Sequence, residues 1–167
     1  MREIAAIDHL LDHREDVFRI CLGFCANYEE AEDLAQDVYV KACEGIDRLR
    51  DPGQARAWLL RITRNAGVDH FRRSRRRANL LKSWTKAAPR PDVPVESETA
   101  RDPRLAELKA AIAALPARYR EVFVLREYGR LPYEEISRAL GLKEGTVMSR
   151  LSRARARVAG MIRRRNS

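Results

Sequence analysis

Residues 133–158 read YEEISRALGLKEGTVMSRLSRARARV, and this stretch decides the fold of the C-terminal half of the chain. A short segment with helical apolar spacing is followed by Gly141, which predicts a turn. Apolar or small residues then recur at intervals of three and four, which predicts the buried stripe of a second helix. That stripe consists of Val147, Leu151, Ala154 and Val158. Two helices joined in this way form a helix-turn-helix, whose second helix enters the major groove of DNA.

The other side of the second helix is polar and basic. A rotation of about 100° per residue turns Ser149, Ser152, Arg153 and Ala156 outward, with Met148 and Arg155 on the flanks. Arginine can form two hydrogen bonds with guanine, and serine can donate or accept, so Arg153 is the predicted principal base-reading residue and the serines are secondary. A two-helix corner without a ligand is the alternative, which the basic outer face disfavours.

Charge is distributed in blocks along the 167 residues, which carry a net charge of +9. Residues 1–50 hold 6 basic and 12 acidic side chains, whereas residues 51–90 hold 11 and 2. Residues 91–100 hold three acids and no base, and residues 101–167 hold 16 bases and 7 acids. Charges that only solvate helix faces would be interspersed, so the two basic blocks predict nucleic-acid binding.

Between these blocks, residues 87–103 (AAPRPDVPVESETARDP) contain four prolines and no helical apolar period. This composition predicts an extended, flexible linker. We therefore expect two domains, residues 1–86 and residues 104–167. Both have apolar residues three and four apart and lack the alternation typical of strands, so the predicted fold class is all-α.

In the first domain, residues 29–45 predict an amphipathic helix with an acidic outer face. Its outer side chains are Glu32, Asp33, Gln36, Asp37 and Lys41. An ordinary solvated face and a docking surface for a basic partner explain this pattern equally well.

The stretch QARAWLLRITRNAGVDHFRRSRRR, residues 54–77, begins with an apolar stripe and ends in a dense basic run. Its clustered arginines suit a surface that holds a phosphate backbone and engages bases. They are Arg64, Arg72, Arg73, Arg75, Arg76 and Arg77. Trp58, at helical spacing, is predicted chiefly as a core residue. Asn65 interrupts the apolar period, and its amide can pair with a base edge.

No set of residues typical of an enzyme active site or of a metal site stands out in this sequence. His9 and His13 are four residues apart, as are Cys21 and Cys25, and such pairs on a helix can share a metal. The two cysteines fall in an apolar stripe, so a core role is favoured, with a metal or redox role as the alternative. Cys43 makes the number of cysteines odd, which argues against a disulfide framework. We expect no enzyme activity, metal, cofactor or small-molecule substrate.

The apolar runs are only a few residues long, and the acidic N-terminus is unlike a signal peptide. We therefore expect a cytoplasmic protein without membrane insertion.

Four segments together resemble the extracytoplasmic-function group of bacterial sigma factors, members of the sigma-70 family that carry only sigma domains 2 and 4. They are AEDLAQDV (31–38), AWLLRITRN (57–65), LPARYREVFVLR (115–126) and GTVMSRLSRAR (145–155). The resemblance covers almost the whole chain. It implies a helical domain 2 that binds core RNA polymerase and the −10 promoter element, and a helix-turn-helix domain 4 that binds the −35 element.

The resemblance also implies roles for individual residues. Asp33, Gln36 and Asp37 would dock on the clamp helices of the polymerase β′ subunit, and Asn65 would line the pocket for a flipped base of the −10 element. The other implied −10 contacts are Trp58, Arg64, Arg72, Arg73, Arg75 and Arg76. The implied −35 contacts are Thr146, Met148, Ser149, Ser152, Arg153 and Arg155.

Three further partners or properties follow from the resemblance. Domain 4 would sit on the flap of the polymerase β subunit, promoter DNA would be the nucleic-acid partner, and an anti-sigma factor would hold the protein inactive. Met148 and Ser152 depart from the residues frequent at their positions in relatives, so the −35 preference cannot be carried over.

Two other functions compete with this interpretation. A helix-turn-helix regulator would bind a promoter without polymerase, but such proteins are commonly dimers, and no dimerisation helix with a heptad seam is present. A polymerase-binding adaptor would bind core polymerase without opening a promoter.

Overall fold

The computed structural model describes residues 2–85 and 102–165, and all regular structure within those ranges is helical. The predicted all-α fold is confirmed. Short 3-10 turns at Ile46–Arg48 and Pro52–Gln54 connect the third and fourth helices, and a π-helical turn at Val124–Tyr128 follows the sixth. The α-helices are α1 (Arg2–Leu11), α2 (Arg14–Phe24), α3 (Tyr28–Gly45), α4 (Ala55–Thr85), α5 (Pro103–Ala114), α6 (Ala117–Phe123), α7 (Tyr133–Leu140) and α8 (Glu144–Arg165).

The predicted linker, residues 87–103, lies outside the described residues except for its last two. Those two belong to the start of α5: Asp102 is the N-cap and accepts a hydrogen bond of 2.9 Å from the Arg104 amide, and Pro103 is the first helical residue. Proline is well suited to this position because its missing amide hydrogen would have no partner there. None of the helices in the described ranges is both long and apolar enough to cross a membrane.

Helices α1 to α4 form an N-terminal bundle. Helix α3 starts where its sequence provides a cap, since the Asn27 side chain accepts a 2.8 Å hydrogen bond from the Glu30 amide. The side of α3 that packs against α2 and α4 is small and apolar. Its buried residues are Ala31, Leu34, Val38 and Ala42, which confirms the predicted amphipathic helix.

Helix α4 changes character along its 31 residues. Its first half contributes Ala55, Leu59 and Ala66 to the core of the N-terminal bundle. From residue 72 to residue 83 every side chain is exposed. A segment of this kind has no core to join and presents its charges to a partner or to solvent.

Helices α5 to α8 form a C-terminal bundle, and the predicted helix-turn-helix is confirmed within it. Gly141 ends α7 in the left-handed conformation (φ 64°), which glycine adopts without the steric cost of a Cβ atom. The Ser137 hydroxyl donates to the Leu142 carbonyl, and the Leu142 amide donates to the Ser137 carbonyl at 3.0 Å. The predicted inner stripe of α8 is buried at Val147, Leu151, Ala154 and Val158.

The helical segment that begins with α6 changes its hydrogen-bonding pattern before it ends. The α-helix stops at Phe123, and a π-helical turn continues to Tyr128. The Leu131 amide then donates to the Leu125 carbonyl at 3.2 Å, and an Arg126 guanidinium nitrogen donates to the Leu131 carbonyl at 2.8 Å. The wider turn keeps Leu125 and Leu131 fully buried, which an α-helical spacing alone does not predict.

The two bundles pack directly against each other. Ile20, Phe24 and Leu60 of the N-terminal bundle lie in the same buried cluster as the core of the C-terminal bundle. Gly23 lets α2 approach the π-helical turn: an added Cβ atom would lie 2.5 Å from Cγ1 of Val124 and 3.0 Å from the Tyr128 ring. The nearest atoms to that position all belong to the C-terminal bundle.

Gly23→Ala is therefore expected to separate the bundles. The methyl group would overpack the contact between the bundles at a cost of about 1–3 kcal/mol. This cost would shift the equilibrium between the packed form and an open form, in which the bundles are apart, about 5- to 150-fold toward the open form. Alanine would meanwhile favour the α2 helix itself. Small-angle scattering should show the radius of gyration rising above the roughly 15 Å of a compact chain of this length.

Gly145→Ala is the matched control, because nothing lies within 4 Å of its Cβ position. A scattering profile that is the same for Gly23→Ala and for the unmodified chain would contradict close packing at this junction.

Candidate nucleic-acid interface

The acidic face of α3 is exposed on the side of the N-terminal bundle away from its core. Asp33, Gln36 and Asp37 lie side by side there, and all three are exposed. Val40 lies on the same face with 57% of its surface exposed, a residue that the sequence analysis did not single out. The sequence does contain a signal for this residue, because Val40 is an apolar residue at a position where helical spacing predicts the polar face of α3. An apolar residue among acids is suited to docking a basic partner that also covers apolar surface.

Asn65 projects from the middle of α4 and is exposed. Its side-chain oxygen accepts a 2.8 Å hydrogen bond from Nη1 of Arg64. The same guanidinium donates through Nε to Oε2 of Glu121 in α6 at 3.0 Å and also forms an ion pair with that carboxylate through Nη2. Two of the residues predicted to contact the −10 element are thus adjacent, and both belong to a hydrogen-bond network that extends into the C-terminal bundle.

Trp58 lies one helical turn inside α4 and is half-buried against the core of the N-terminal bundle. Its ring packs on Gly45, where an added Cβ atom would come within 3.1 Å of the indole. The predicted core character agrees with this packing, and the contact with the −10 element stays a prediction.

The arginine run forms a continuous basic surface. Arg72, Arg73, Arg75, Arg76 and Arg77 are all exposed on the second half of α4. Arg72 lies 3.9 Å from a carboxylate oxygen of Asp69, one turn earlier, so the run is nearly uncompensated along the helix. A surface with this density of positive charge is suited to contacts with phosphates, which carry no sequence information.

Beside this run lies an arginine that sequence reasoning missed. The Arg120 guanidinium lies 3.6 Å from the centre of the Phe71 ring and donates to the Leu115 carbonyl at 2.5 Å. The pKa of Arg120 is lowered to about 10, chiefly because the side chain is buried and secondly because the positive charge of Arg75 is nearby. Arg120 therefore ties α6 to α4 rather than facing solvent.

The outer face of α8 has the predicted composition. Met148, Ser149, Ser152 and Arg153 are exposed, whereas Thr146 is half-buried. The Ser149 hydroxyl donates to the Thr146 carbonyl at 3.1 Å, which occupies its proton and leaves its lone pairs available. These side chains form one surface at the start of α8, the part that enters the groove in helix-turn-helix proteins.

Arg155 is held on the flank of this surface. Its Nε donates to Oε1 of Glu127 at 2.8 Å, and Nη2 of the same guanidinium lies 2.6 Å from that oxygen. Glu127, which the sequence analysis did not identify, thus orients an arginine predicted to contact DNA.

Charged groups also join the two bundles. Nη2 of Arg56 in α4 lies 3.1 Å from Asp16 and 3.1 Å from Glu135 of α7, and the ammonium of Lys109 in α5 donates to the Cys25 carbonyl at 2.9 Å. Burial lowers the pKa of Lys109 to about 8. The ion pairs between bundles therefore join arginines of α4 to glutamates of the C-terminal bundle. Among the residues that the structure describes, none of the ion pairs between the bundles involves the acidic face of α3.

Comparison with protein families gives two matches that together cover most of the chain. The model described as Sigma-70 region 2 matches residues 10–77, and the one described as Sigma-70, region 4 matches residues 105–158.

Among curated proteins, the chain is 34% identical over 157 residues to the ECF RNA polymerase sigma factor SigE of Mycolicibacterium smegmatis, covering 93% of this chain and 60% of the relative's length. It is 31% identical over 151 residues to the ECF RNA polymerase sigma factor SigM of Mycobacterium tuberculosis, covering 90% of this chain and 73% of that relative.

Among solved structures, the sigma factor RpoE of Bartonella quintana, in complex with the anti-sigma factor NepR, superposes with a TM-score of 0.63 at 26% identity. The match covers 93% of this chain and 95% of that one. CnrH, solved in complex with the cytosolic domain of CnrY, has the same fold, with a TM-score of 0.67 at 24% identity and 96% of each chain covered.

Proposed function

The chain belongs to the extracytoplasmic-function sigma factors of the sigma-70 family, and from this premise we propose that it binds core RNA polymerase and directs promoter-specific initiation. In this proposal it recognises −35 and −10 elements and helps to open the duplex. One observation carries the proposal: a helix-turn-helix with an exposed basic reading face shares the chain with a second bundle that presents Asn65 beside an arginine surface.

The proposed division of labour follows the two bundles. Residues 1–86 would form the domain that binds core polymerase and the −10 element, residues 87–103 the linker, and residues 104–167 the domain that binds the −35 element. The two family models fall on either side of the proposed linker, which supports this division.

The acidic face of α3 is the proposed contact with the β′ clamp helices. Asp33, Gln36 and Asp37 would meet basic side chains there, with Val40 covering an apolar spot at the centre of the contact. Electrostatic complementarity of this kind raises association rates and fixes orientation. The β flap is the proposed seat of the C-terminal bundle.

Asn65 is the proposed residue that captures a flipped base of the −10 element. Flipping costs a few kcal/mol of unstacking, which hydrogen bonds in a pocket and nearby cations must offset. Arg64 and the exposed run from Arg72 to Arg76 supply those cations within one helix. Trp58 completes the proposed −10 surface at its edge.

Promoter binding requires that the two bundles separate. The centres of a −35 and a −10 element are about 25 base pairs apart, which is about 85 Å along B-form DNA at 3.4 Å per base pair. In the packed arrangement Arg64, next to Asn65, lies only 3.0 Å from Glu121 of the C-terminal bundle. We therefore propose that the packed form is the one that does not initiate, and that binding to core polymerase selects an open form.

An anti-sigma factor is the proposed regulator. The solved sigma factor RpoE, which is similar over most of its length, is bound to one. Such a partner would act on this chain by covering the acidic face of α3 or by stabilising the packed form.

No catalytic role is proposed for the chain. The polymerase performs the chemistry, so the chain needs no catalytic residues of its own, and it would act where the polymerase is, in the cytoplasm.

Arg153→Ala is expected to relax sequence preference at one position of the −35 element. Loss of a bidentate arginine contact costs about 1–3 kcal/mol against the preferred base pair and little against the others. The measurement is transcription, or binding by the sigma–core complex, on promoters randomised in the −35 region.

Arg157→Ala is the matched control, because it is an exposed arginine one turn along the same helix. It should weaken binding to all sequences about equally, as expected for a phosphate contact. An unchanged preference in Arg153→Ala would remove Arg153 from the set of base-reading residues.

The proposed function is tested by the dependence of promoter binding on core polymerase. A pool of genomic fragments is incubated with the protein alone, with core alone and with both, and the retained fragments are sequenced. The proposal predicts specific retention only when both are present. Specific retention by the protein alone would instead identify an autonomous regulator.

A further inference from the structure

Three potential metal ligands meet where α2 gives way to α3. Cys25 follows the last residue of α2, Glu30 lies in the first turn of α3, and His70 comes from the middle of α4. One ligand atom from each, the Cys25 sulfur, a Glu30 carboxylate oxygen and a His70 ring nitrogen, lie within 4.8 Å of one another. His70 Nε2 and Glu30 Oε2 are 3.4 Å apart.

The fold holds these groups in place from three directions. Cys25 is 3% exposed, and its amide donates to the Cys21 carbonyl at 3.0 Å. The Glu30 side chain folds toward the connection between α2 and α3, where its Oε2 accepts a 3.2 Å hydrogen bond from the Ala26 amide. His70 is half-buried, and the Ser74 hydroxyl lies 3.4 Å from its Nε2.

A sulfur, an imidazole nitrogen and a carboxylate oxygen form a donor set suited to zinc. Zinc sites with three protein ligands are tetrahedral and keep a fourth position for water. With bonds of about 2.0–2.3 Å, tetrahedral donors lie about 3.3–3.8 Å apart, so the largest separation here must contract by about 1 Å. Side-chain rotation of Glu30 and His70 can provide that contraction because both are partly exposed.

We propose that Cys25, Glu30 and His70 bind one zinc ion, with water as the fourth ligand. Without metal, burial raises the pKa of the Cys25 thiol to about 12, so the sulfur carries its proton. Zinc replaces this proton, which passes to solvent, and the resulting thiolate and the Glu30 carboxylate together balance the two charges of the ion.

The charge balance matters because a cation already lies nearby. Lys109 donates to the Cys25 carbonyl, and its ammonium is attracted to the Glu30 carboxylate. A metal held by neutral ligands alone would be repelled by this ammonium. Two anionic donors make the proposed site compatible with it.

The test is titration of the full chain with Co²⁺, which takes the place of zinc and reports on its ligands by absorption. We expect one equivalent to bind with tetrahedral visible bands and a near-ultraviolet thiolate-to-cobalt band, and one equivalent of Zn²⁺ to bleach both. Cys25→Ser should remove the near-ultraviolet band. His70→Gln and Glu30→Gln should each weaken binding at least about 100-fold.

Cys43→Ser is the control, because Cys43 is exposed and lies outside the cluster. Glu30→Gln also guards against misfolding, since its amide oxygen can still accept from the Ala26 amide, and circular dichroism verifies the helical content of each variant. Absence of tetrahedral bands in the unmodified chain would overturn the proposal. A thiolate band lost in Cys43→Ser and kept in Cys25→Ser would also overturn it.

Discussion

Asn65→Ala is expected to lower promoter-specific initiation at least about tenfold while leaving the affinity for core polymerase unchanged. The side chain is exposed on α4, so its loss costs the fold little. A base that is already flipped loses the hydrogen bonds that offset its unstacking, and an amide contact with a base edge contributes about 1–3 kcal/mol. The effect should therefore fall on strand opening.

Binding to core polymerase and opening of the promoter are measured separately. Affinity for core is measured by fluorescence anisotropy, and opening by the permanganate reactivity of unpaired thymines in the −10 region. Asn79→Ala is the matched control, since Asn79 is a second exposed asparagine on the same helix. Unchanged transcription by Asn65→Ala would remove this residue from the −10 pocket. A parallel loss of core binding would instead give it a structural role.

Reversing the charge of two aspartates on α3 should have the second large effect. Asp33→Lys combined with Asp37→Lys is expected to weaken core binding at least about 100-fold, since placing like charges across an interface costs several kcal/mol. Both side chains are exposed, so the helix should still fold. DNA contacts are untouched, and any transcription that remains at high protein concentration should begin at the same sites.

Glu44→Lys combined with Asp47→Lys provides the control for net charge. These are exposed acids at the far end of the same helix and the turn that follows it. The control should bind core with nearly the original affinity. Equal loss in both double variants would mean that total charge governs binding and that the α3 face is not the docking site.

The regular parts of the fold could be predicted from the sequence because they depend on local spacing. The stripe of Val147 and Leu151 and the glycine at Gly141 are set by neighbours a few residues away, and the structure has them as predicted. The π-helical turn at Val124–Tyr128 was not predicted. Leu125, within this turn, and Leu131, just after it, are buried among other helices, and helical periodicity carries no information about such tertiary packing.

The polar network of the candidate site could be predicted only in part, because its partners are distant in sequence. Arg64 and Asn65 could be singled out, but Glu121, 57 residues beyond Arg64, could not. The blocks of charge do not indicate these pairs either. The ion pairs between the bundles join arginines of α4 to Glu121 and Glu135, two acids of the basic C-terminal block.

The surroundings of the cysteines could likewise be predicted only in part from the sequence. Spacing pairs Cys25 with Cys21 on one helix, whereas the fold adds Glu30 and His70 from two others. Helical periodicity places Cys25 in the core, and that placement is confirmed. The neighbours that give it chemical interest come from tertiary structure alone.

The central claim is tested most directly by adding the protein to bacterial core RNA polymerase on genomic DNA from its source and mapping the 5′ ends of the transcripts, with core alone as the control. The account predicts discrete new start sites that share sequence motifs near −35 and −10 and that disappear with Asp33→Lys combined with Asp37→Lys. Start sites no different from those of core alone would contradict it.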